Sequence, residues 1–186
     1  MSAKHDINYE MIFKYAPVGM CISIDRVIQS CNDSLSGMFG YPSGQLDGQS
    51  FQVLYPTIDE FLRTGDRIIP VMNVKGVYSD ERIMRRANGE LFWCHVSGRA
   101  ISAQEPLGAG VWTFEDVSEK RPVTAELTPR EREIAALLVE GKTSKIIARE
   151  TDLSPRTVEM HRAKLMKKFS ASTSSELVHK LVGVSR

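Results

Sequence analysis

The 186-residue sequence predicts two domains of different class, an α+β domain with an antiparallel sheet and short helices, followed by an all-α domain of four helices. Short strand-like runs separated by turn residues dominate the first part, whereas the second shows helical spacing of apolar residues between capping signals. Charge divides at the same point, since residues 1–121 hold 12 Lys and Arg against 15 Asp and Glu, and residues 122–186 hold 12 against 8. We therefore predict a first domain at residues 1–118 with its core at 9–118, a linker at 119–126, and a second domain at 127–186.

The first domain is predicted to contain five strands, because runs rich in β-branched and aromatic residues alternate with turn-forming residues. Asp25-Arg26 forms a tight connection between two strands, and Ala87-Asn-Gly-Glu90 is a strong hairpin signal. Asn32 can cap a helix that stops at Gly40. The predicted elements are a lead-in at 9–15, strands at 18–25 and 27–31, a helix at 33–39, a longer helix from about 58 to 65 or beyond, and strands at 77–86, 90–102 and 110–116.

This arrangement resembles the PAS sensor fold. The resemblance rests on the order of elements and on Asn32, Phe39-Gly-Tyr41, Leu46 with Gly48, Arg86-Ala-Asn-Gly-Glu90 with Trp93, and Asp116-Val-Ser-Glu-Lys-Arg121. It implies a domain that senses a signal and passes it to an output domain. The main alternative is a GAF-like domain, which is usually longer and lacks the ending found here.

Alternation along the fourth strand separates two faces. The resemblance implies that one face points into the core, where a ligand can sit, and that the other is the outer face of the sheet. The first face comprises Phe92, Cys94, Val96, Gly98 and Ala100, and the second Leu91, Trp93, His95, Arg99 and Ile101. We expect a possible pocket at Cys21, Phe92, Cys94, Val96 and Gly98, with a filled core as the alternative. Trp93 is expected to make a packing or dimer contact.

Cofactor signatures are sparse in this domain. The sequence lacks the Asn-Cys-Arg motif of light-sensing PAS domains, and residues 55–75 contain no histidine of the kind that haem-binding PAS domains use. The cofactor is therefore unknown, and a small organic or carboxylate ligand, or none, remains open. Cys21, Cys31 and Cys94 show no paired spacing and are expected to be reduced. The histidines are scattered, so no metal site is predicted.

The second domain begins with a capping box, Thr128-Pro-Arg-Glu131, and its first helix ends at Gly141. A second short helix follows Thr143. After a tight turn, Ser154 caps a third helix over residues 154–169, with Pro155 at its first position. Two short helices joined by three or four residues, the second of a size that fits a groove, are typical of a helix-turn-helix.

The third helix has an inward stripe and a basic front. Val158, Leu165 and Phe169 form the stripe, and the opposite face carries Arg156, Glu159, Met160, Ala163, Lys164 and Lys167. At about 1.5 Å per residue the helix is roughly 24 Å long, and its width suits a major groove about 12 Å wide. Residues 142–168 hold 8 Lys and Arg against 3 Asp and Glu, which favours binding to the phosphates of double-stranded DNA.

Residues 127–169 closely resemble the LuxR/GerE-type helix-turn-helix of bacterial transcriptional regulators. The matching positions include Leu127-Thr-Pro-Arg-Glu-Arg-Glu133, Gly141, Thr143, Lys145, Ala148, Leu153-Ser154, Thr157-Val-Glu159, His161-Arg162, Leu165 and Lys168. The resemblance implies base contacts from Glu159, Met160 and Ala163, and phosphate contacts from Lys145, Thr157, Arg162 and Lys164. We add Arg156, His161 and Lys167 to the expected phosphate contacts. Ile146 and Ser174 depart from the family, which usually has an acid at the first position and often arginine at the second.

The last helix, about residues 173–183, carries an apolar stripe of Leu177, Val178, Leu181 and Val182. Part of it must pack inward, and the remainder is expected to form the dimer contact that the resemblance implies. We therefore expect a homodimer on an inverted repeat with half-sites about one helical turn apart. RNA polymerase is an expected further partner.

Enzymatic activity and membrane insertion are not expected. The adjacent acids Asp59-Glu60, Asp80-Glu81 and Glu115-Asp116 are predicted to be solvated edges or caps, and Ser97 and His95 have no evident orienting acid. No apolar run approaches the roughly 18 residues of a membrane span, so a cytoplasmic protein is expected. Two alternatives stay open: the promoter-binding region of a sigma factor, and a PAS-based redox or protein-interaction module with secondary DNA binding.

Overall fold

The computed structural model describes residues 8–101, 108–118 and 127–182. The predicted linker at 119–126 lies outside these ranges. The fold class expected from the sequence is confirmed, since an antiparallel sheet with helices is followed by four further helices. None of the helices in the described ranges is long and apolar enough to cross a membrane.

Within these ranges, five antiparallel strands form one sheet with the order β2-β1-β5-β4-β3. Its strands are β1 (Gly19–Ile24), β2 (Val27–Cys31), β3 (Val77–Arg85), β4 (Leu91–Ala100) and β5 (Ala109–Asp116). Asp25 and Arg26 both adopt positive φ angles, 48° and 64°, and so make the two-residue turn whose twist suits a hairpin. Gly89, at φ 88°, serves the β3–β4 hairpin in the same way.

The part of the chain that the structure describes contains seven α-helices, and each follows a residue whose side chain accepts a hydrogen bond from the first helical turn. They are α1 (Tyr9–Tyr15), α2 (Asp33–Phe39), α3 (Ile58–Lys75), α4 (Pro129–Val139), α5 (Ser144–Glu150), α6 (Pro155–Lys168) and α7 (Ser174–Leu181). A short 3-10 helix covers Phe51–Leu54. The expected capping box at Thr128 and Glu131 is present, and α3 continues well beyond residue 65 to end at Gly76.

The inner face of the sheet packs on α2, the 3-10 helix and α3. Phe39 of α2 lies edge-on to two strand residues, with ring centroids 5.2 Å from Phe92 and 5.9 Å from Phe114. Cys94 and Val96 are buried in the same cluster. The expected alternation of β4 is therefore correct for its core face, and aromatic edge-to-face contacts fill much of the centre.

The outer face of the sheet is covered by the second domain of the same chain. Ile83 and Trp93 belong to one buried cluster with Leu127 and the apolar residues of α4. Trp93 is only 2% exposed. Of the two roles expected for Trp93, the structure has the packing contact and not the dimer contact, because α4 already occupies the face on which a partner would have to pack.

A buried ion pair joins the two domains. Glu60 of α3 accepts hydrogen bonds from Arg132 of α4 through both carboxylate oxygens, at 2.6 Å from Nη2 and 3.0 Å from Nε. The two side chains are 9% and 8% exposed. A second pair, Arg63 and Glu133, lies 3.2 Å apart between the same helices. Of the two roles expected from the sequence, Glu60 is not solvated, because a cation from the other domain covers it, but it does take part in the helix cap, where it accepts a hydrogen bond from Thr57 at 2.9 Å.

Asp80, which was also expected to be a solvated edge or cap, is not solvated either. Its carboxylate is buried and accepts hydrogen bonds from Arg67 at 3.0 Å, Tyr78 at 2.9 Å and Arg82 Nε at 2.7 Å. Arg82 also donates to the hydroxyl of Tyr55 at 2.5 Å. Burial lowers the pKa of Arg82, but the charge of Asp80 more than compensates and holds that pKa above its ordinary value. This network ties β3 to α3 directly beneath the domain interface.

The Glu60→Gln substitution tests the interface. Breaking a buried ion pair costs about 3–5 kcal/mol, because the remaining charge loses its partner. We expect α4 to separate from the sheet and expose Trp93, which moves tryptophan fluorescence to longer wavelength. Glu90→Gln is the matched control, since Glu90 pairs with Arg86 in solvent and such pairs contribute about 1 kcal/mol or less. An unchanged emission maximum and unfolding midpoint in Glu60→Gln would contradict this view of the interface.

Candidate functional site

The site predicted to contact DNA is built on α6, which α5 and the turn between them hold in place. Val158 and Leu165 are fully buried and anchor α6 against the apolar residues of α4 and α5. Ser154 accepts a hydrogen bond from the N–H of Thr157 at 3.0 Å and so starts the helix. Asp152 adopts a positive φ of 51°, which reverses the chain within the turn. These features fix the direction of α6 and the face that it presents.

One face of α6 is exposed along its whole length. It carries the side chains of Arg156, Glu159, Met160, Ala163, Lys164 and Lys167. Met160 is 49% exposed although it is a large apolar residue. An apolar side chain among charges on a surface helix suits contact with a partner that offers methyl groups as well as polar edges.

Positive charge surrounds this face. Lys145 and Arg149 of α5 and Arg156, Lys164 and Lys167 of α6 are exposed. Within the described ranges these five cations make no ion pair. Arg149 was not among the expected phosphate contacts, although its place in the last turn of α5 beside Lys145 could have indicated it. Cations without intramolecular partners are available to an anionic ligand at no cost in broken ion pairs.

Arg162 has a different environment from the one expected. Its guanidinium donates to Ser144 of α5 at 2.6 Å, to Ser174 of α7 at 2.7 Å and to Glu159 at 3.3 Å. Three helices are thereby joined through one side chain. Ser174, which departs from the family pattern, accepts one of these bonds, so the chain keeps a polar contact at that helix. Arg162 therefore holds α5, α6 and α7 together, and Glu159 partly offsets its charge.

Thr157 and His161 are half-buried and are less available than the exposed cations. The Thr157 hydroxyl lies 2.8 Å from that of Ser154 within the helix cap. Burial, followed by the neighbouring charge of Lys164, lowers the pKa of His161. The imidazole is therefore mainly neutral at pH 7 and adds no charge for a phosphate.

A buried carboxylate ties the C-terminal end of α6 to the start of α4. Glu131 accepts hydrogen bonds from Lys168 at 2.7 Å and from the N–H of Thr128 at 2.8 Å. Burial raises the pKa of Glu131, but these hydrogen bonds outweigh burial and hold that pKa below its ordinary value. The ionised form thus stabilises the position of the whole helix.

The stripe on α7 divides into two parts. Leu177 and Leu181 are 1% and 2% exposed and belong to the domain core, so they are the part of the stripe that packs inward and are not a dimer contact. They pack inward because α7 must close the core formed by α4 and α6. Val178 and Val182 are only half-buried. These two remain the residues of α7 that a partner could reach.

The first domain contains a cavity of about 40 Å³ between α3 and the sheet. A water molecule needs about 10–15 Å³ by this kind of measure, so the cavity suits a ligand of very few heavy atoms. Of the five expected pocket residues only Val96 lines it, and Cys21, Phe92, Cys94 and Gly98 do not. A Cβ atom on Gly98 would lie 2.3 Å from the ring of Trp112, so this ring already fills the space that Gly98 leaves.

Two cations and one hydroxyl border the otherwise apolar cavity. Arg26 lies with its guanidinium 3.5 Å from the ring centroid of Phe61 and donates to the carbonyl of Phe61 at 2.7 Å. Burial lowers the pKa of Arg26. Arg82 and Tyr55 reach the cavity from the Asp80 network. In the part of the chain that the structure describes, no group of three or more acidic, histidine or cysteine side chains could hold a metal ion.

His95 and Ser97 lie side by side on the outer face of the sheet. The Nε2 atom of His95 is 3.2 Å from the hydroxyls of both Ser97 and Ser79. Glu81 approaches Nδ1 of His95 only to 3.9 Å, which is too long for a hydrogen bond. The carboxylate therefore does not orient the imidazole as a catalytic triad requires.

Comparison with known proteins assigns each domain. Residues 17–119 match the model of the PAS domain family, and residues 125–181 match that of the bacterial regulatory proteins of the luxR family. The transcriptional regulatory protein FixJ of Bradyrhizobium diazoefficiens is 42% identical over 79 residues, or 42% of this chain and 37% of FixJ. The chain thus spans little more than a third of the length of this curated relative.

Two solved structures extend the comparison. A PAS domain in complex with ethanol, from a LuxR-family transcriptional regulator of Burkholderia thailandensis, is 57% identical, covers 60% of this chain and 99% of its own, and gives a TM-score of 0.58. The VqmA dimer of Vibrio cholerae is 20% identical over 95% of this chain and 88% of its own, with a TM-score of 0.57. The second likeness shows a shared fold.

The Glu131→Gln substitution tests the anchoring of α6. A hydrogen bond to a charged group contributes about 1.5–3 kcal/mol, so the variant should unfold at lower temperature at pH 7. Because the folded pKa of Glu131 is depressed, this contribution is present above the unfolded value of 4.5 and is lost as the pH falls through the folded value. Thermal unfolding should therefore show a difference from the wild type that shrinks below about pH 4.5.

Glu159→Gln provides the comparison, since this glutamate is exposed and pairs with Arg162 only at 3.3 Å, so the substitution should change the unfolding temperature little. A difference between Glu131→Gln and the wild type that stays constant down to the acid limit would show that the ionised carboxylate does not anchor α6.

Proposed function

We propose that the chain is a dimeric, sequence-specific DNA-binding transcriptional regulator. It belongs to the PAS domain family and carries a regulatory domain of the luxR family. The luxR family consists of regulators rather than enzymes.

The exposed face of α6 is the observation that carries the DNA-binding proposal. Glu159 can accept a hydrogen bond from the N4 amino group of cytosine, while Met160 and Ala163 can pack on the methyl group of thymine. All three lie on the exposed side of a helix whose opposite side is buried. We propose that these residues distinguish sequences, and that the partly engaged Arg162 holds Glu159 in the orientation this contact needs.

The exposed cations are proposed to bind phosphates and to set the position of α6 in the groove. Lys145, Arg149, Arg156, Lys164 and Lys167 flank the face that would contact bases. If each neutralises one phosphate, the logarithm of the affinity falls with the logarithm of salt concentration with a slope of roughly −4 to −5 per subunit. Of the other expected phosphate contacts, Thr157 can donate a hydrogen bond at the helix start, and His161 would contribute contact without charge.

The sensor domain is proposed to act through α3. One side of α3 lines the cavity with Gly65 and Ile68, and Glu60 of the same helix holds Arg132 of α4. Arg82 borders the cavity and also the space between Glu60 and Arg132. A small ligand that fills the cavity would shift α3 or Arg82, and either movement changes the docking of the second domain. The ethanol complex of the Burkholderia relative supports a ligand of this size.

A homodimer is proposed to form through α1 of the sensor domain and the half-buried Val178 and Val182 at the C-terminal end of α7. Tyr9, Met11, Ile12 and Tyr15 expose large apolar surfaces on α1, which buries none of its own residues. Such a group on a monomer marks an interaction surface. A second copy is the occupant we favour, since VqmA, which shares the fold, is a dimer. On DNA the dimer would occupy an inverted repeat, where RNA polymerase is the expected partner.

Glu159→Ala and Lys164→Ala should separate sequence recognition from phosphate binding. The loss of one base contact costs about 1–3 kcal/mol on the best site and little on random DNA. Lys164→Ala should weaken both kinds of DNA alike and make the salt dependence shallower by about one unit. Fluorescence anisotropy with specific and random duplexes at several salt concentrations measures both effects. If Glu159→Ala loses equal affinity for the two duplexes, Glu159 does not contact bases.

Ile12→Glu should dissociate the dimer, because a charge placed in an apolar contact between copies would be buried without a partner. Val74→Glu is the matched control, since Val74 is an exposed apolar residue of α3 outside the proposed contact. Light scattering should report a monomer for the first variant and a dimer for the second. A dimer that survives Ile12→Glu, or a wild-type monomer that binds its site at full affinity, would overturn this part of the proposal.

A further inference from the structure

Two cysteines face each other across neighbouring strands. Cys21 of β1 and Cys31 of β2 are direct antiparallel partners. The N–H of Asn32 donates to the carbonyl of Met20 at 3.0 Å, and the N–H of Cys31 donates to Asp47 instead of to β1. Hydrogen bonds that connect the flanking residues, rather than the pair itself, define a non-hydrogen-bonded pair.

This position in the ladder brings the two side chains close together. Cα atoms of non-hydrogen-bonded partners are about 4.5 Å apart, and their side chains leave the sheet on the same side. A disulfide needs Cα atoms about 4.4–6.8 Å apart and Cβ atoms about 3.5–4.5 Å apart. A non-hydrogen-bonded pair such as Cys21 and Cys31 therefore lies at the lower end of the Cα range that a disulfide needs.

The two thiols differ in access. Cys21 is fully buried in the core, whereas Cys31 is partly exposed and its sulfur lies 3.3 Å from the hydroxyl of Ser36. A small oxidant can therefore reach Cys31 first, and Cys21 is its partner on the neighbouring strand. An exposed thiol backed by a second thiol is the arrangement of a reactive and a resolving cysteine.

We propose that Cys21 and Cys31 form a reversible intramolecular disulfide when a peroxide oxidises the protein. The Cys31 thiolate attacks the peroxide oxygen, which gives a sulfenic acid and, from hydrogen peroxide, one water. The Cys21 thiolate then attacks the sulfenic sulfur, the S–S bond forms, and the hydroxyl leaves as a second water. Two thiols thus lose two electrons and two protons to one peroxide, and a dithiol reverses the reaction by exchange.

Burial of the two thiols slows this reaction. It raises the pKa of Cys31 and, more strongly, that of Cys21, where the proximity of Cys31 adds to the effect. Because the thiolate is the reactive form, oxidation is slow at neutral pH and accelerates as the pH rises. The bond is therefore expected to form under sustained oxidation rather than as an instantaneous response.

Cys94 serves as an internal reference. It is buried on the core face of β4, and its strand partners are Arg82 and Asp116. No second thiol lies opposite it, so it should stay reduced while Cys21 and Cys31 react. The disulfide would also lie beside the sensor cavity, since Cys21 is the direct partner of Trp112, which lines it. The inference stands on the strand pairing and is independent of DNA binding.

The test treats the full-length protein with hydrogen peroxide and then alkylates free thiols under denaturing conditions. Intact mass should show loss of two hydrogen atoms, with only one of the three cysteines alkylated. Peptide mapping should link Cys21 to Cys31 and find the alkyl group on Cys94, and dithiothreitol should restore all three thiols. The reaction should be faster at pH 9 than at pH 7. Cys94→Ser should keep the bond, and Cys31→Ser should lose it.

Several results would overturn the proposal. They are three alkylated thiols after prolonged peroxide, sulfinic or sulfonic acid on Cys31 with Cys21 still reduced, and a disulfide that joins two chains. Each would show that Cys21 does not reach the oxidised sulfur of Cys31. Because Cys31 is partly exposed and serine is similar in size, Cys31→Ser should fold, and the wild-type experiment needs no variant at all.

Discussion

The buried ion pair between Glu60 and Arg132 is the interaction on which the arrangement of the two domains depends. It lies beside the apolar contact of Ile83 and Trp93 with α4, so charge and shape act at the same interface. Apolar packing supplies attraction without direction, whereas a bidentate ion pair is satisfied in one geometry only. The pair therefore fixes how the helix-turn-helix is oriented on the sensor sheet.

This orientation has a consequence for regulation. The same helix, α3, borders the cavity on one side and carries Glu60 on the other, and the Asp80 network lies between them. A buried network of charges tolerates few intermediate positions, because a half-satisfied group is costly. The sensor and the DNA-contacting helix are thus connected by contact between folded surfaces.

Local sequence signals predicted the secondary structure, but they could not predict contacts between residues that are distant in the sequence. Thr128 and Ser154 could be identified as helix caps because the sequence signal for a cap spans only about four residues. The alternation of side chains along β4 identified the face of that strand that points into the core. Glu60 was expected to be a solvated edge or a cap, and its ion pair was missed because Arg132 lies 72 residues away in the other domain. The expected pocket failed for a similar reason, since the space left by Gly98 is filled by Trp112 of the adjacent strand.

The measurement that tests the account most directly is the selection of binding sites from random DNA by the full-length protein. A dimer that contacts bases through α6 should enrich an inverted repeat whose half-sites are about 10 base pairs apart, centre to centre. Such a repeat combines the proposed base contacts with the two-fold symmetry of the dimer. Enrichment of an isolated half-site would contradict the dimer, and no enrichment over random DNA would contradict sequence recognition itself.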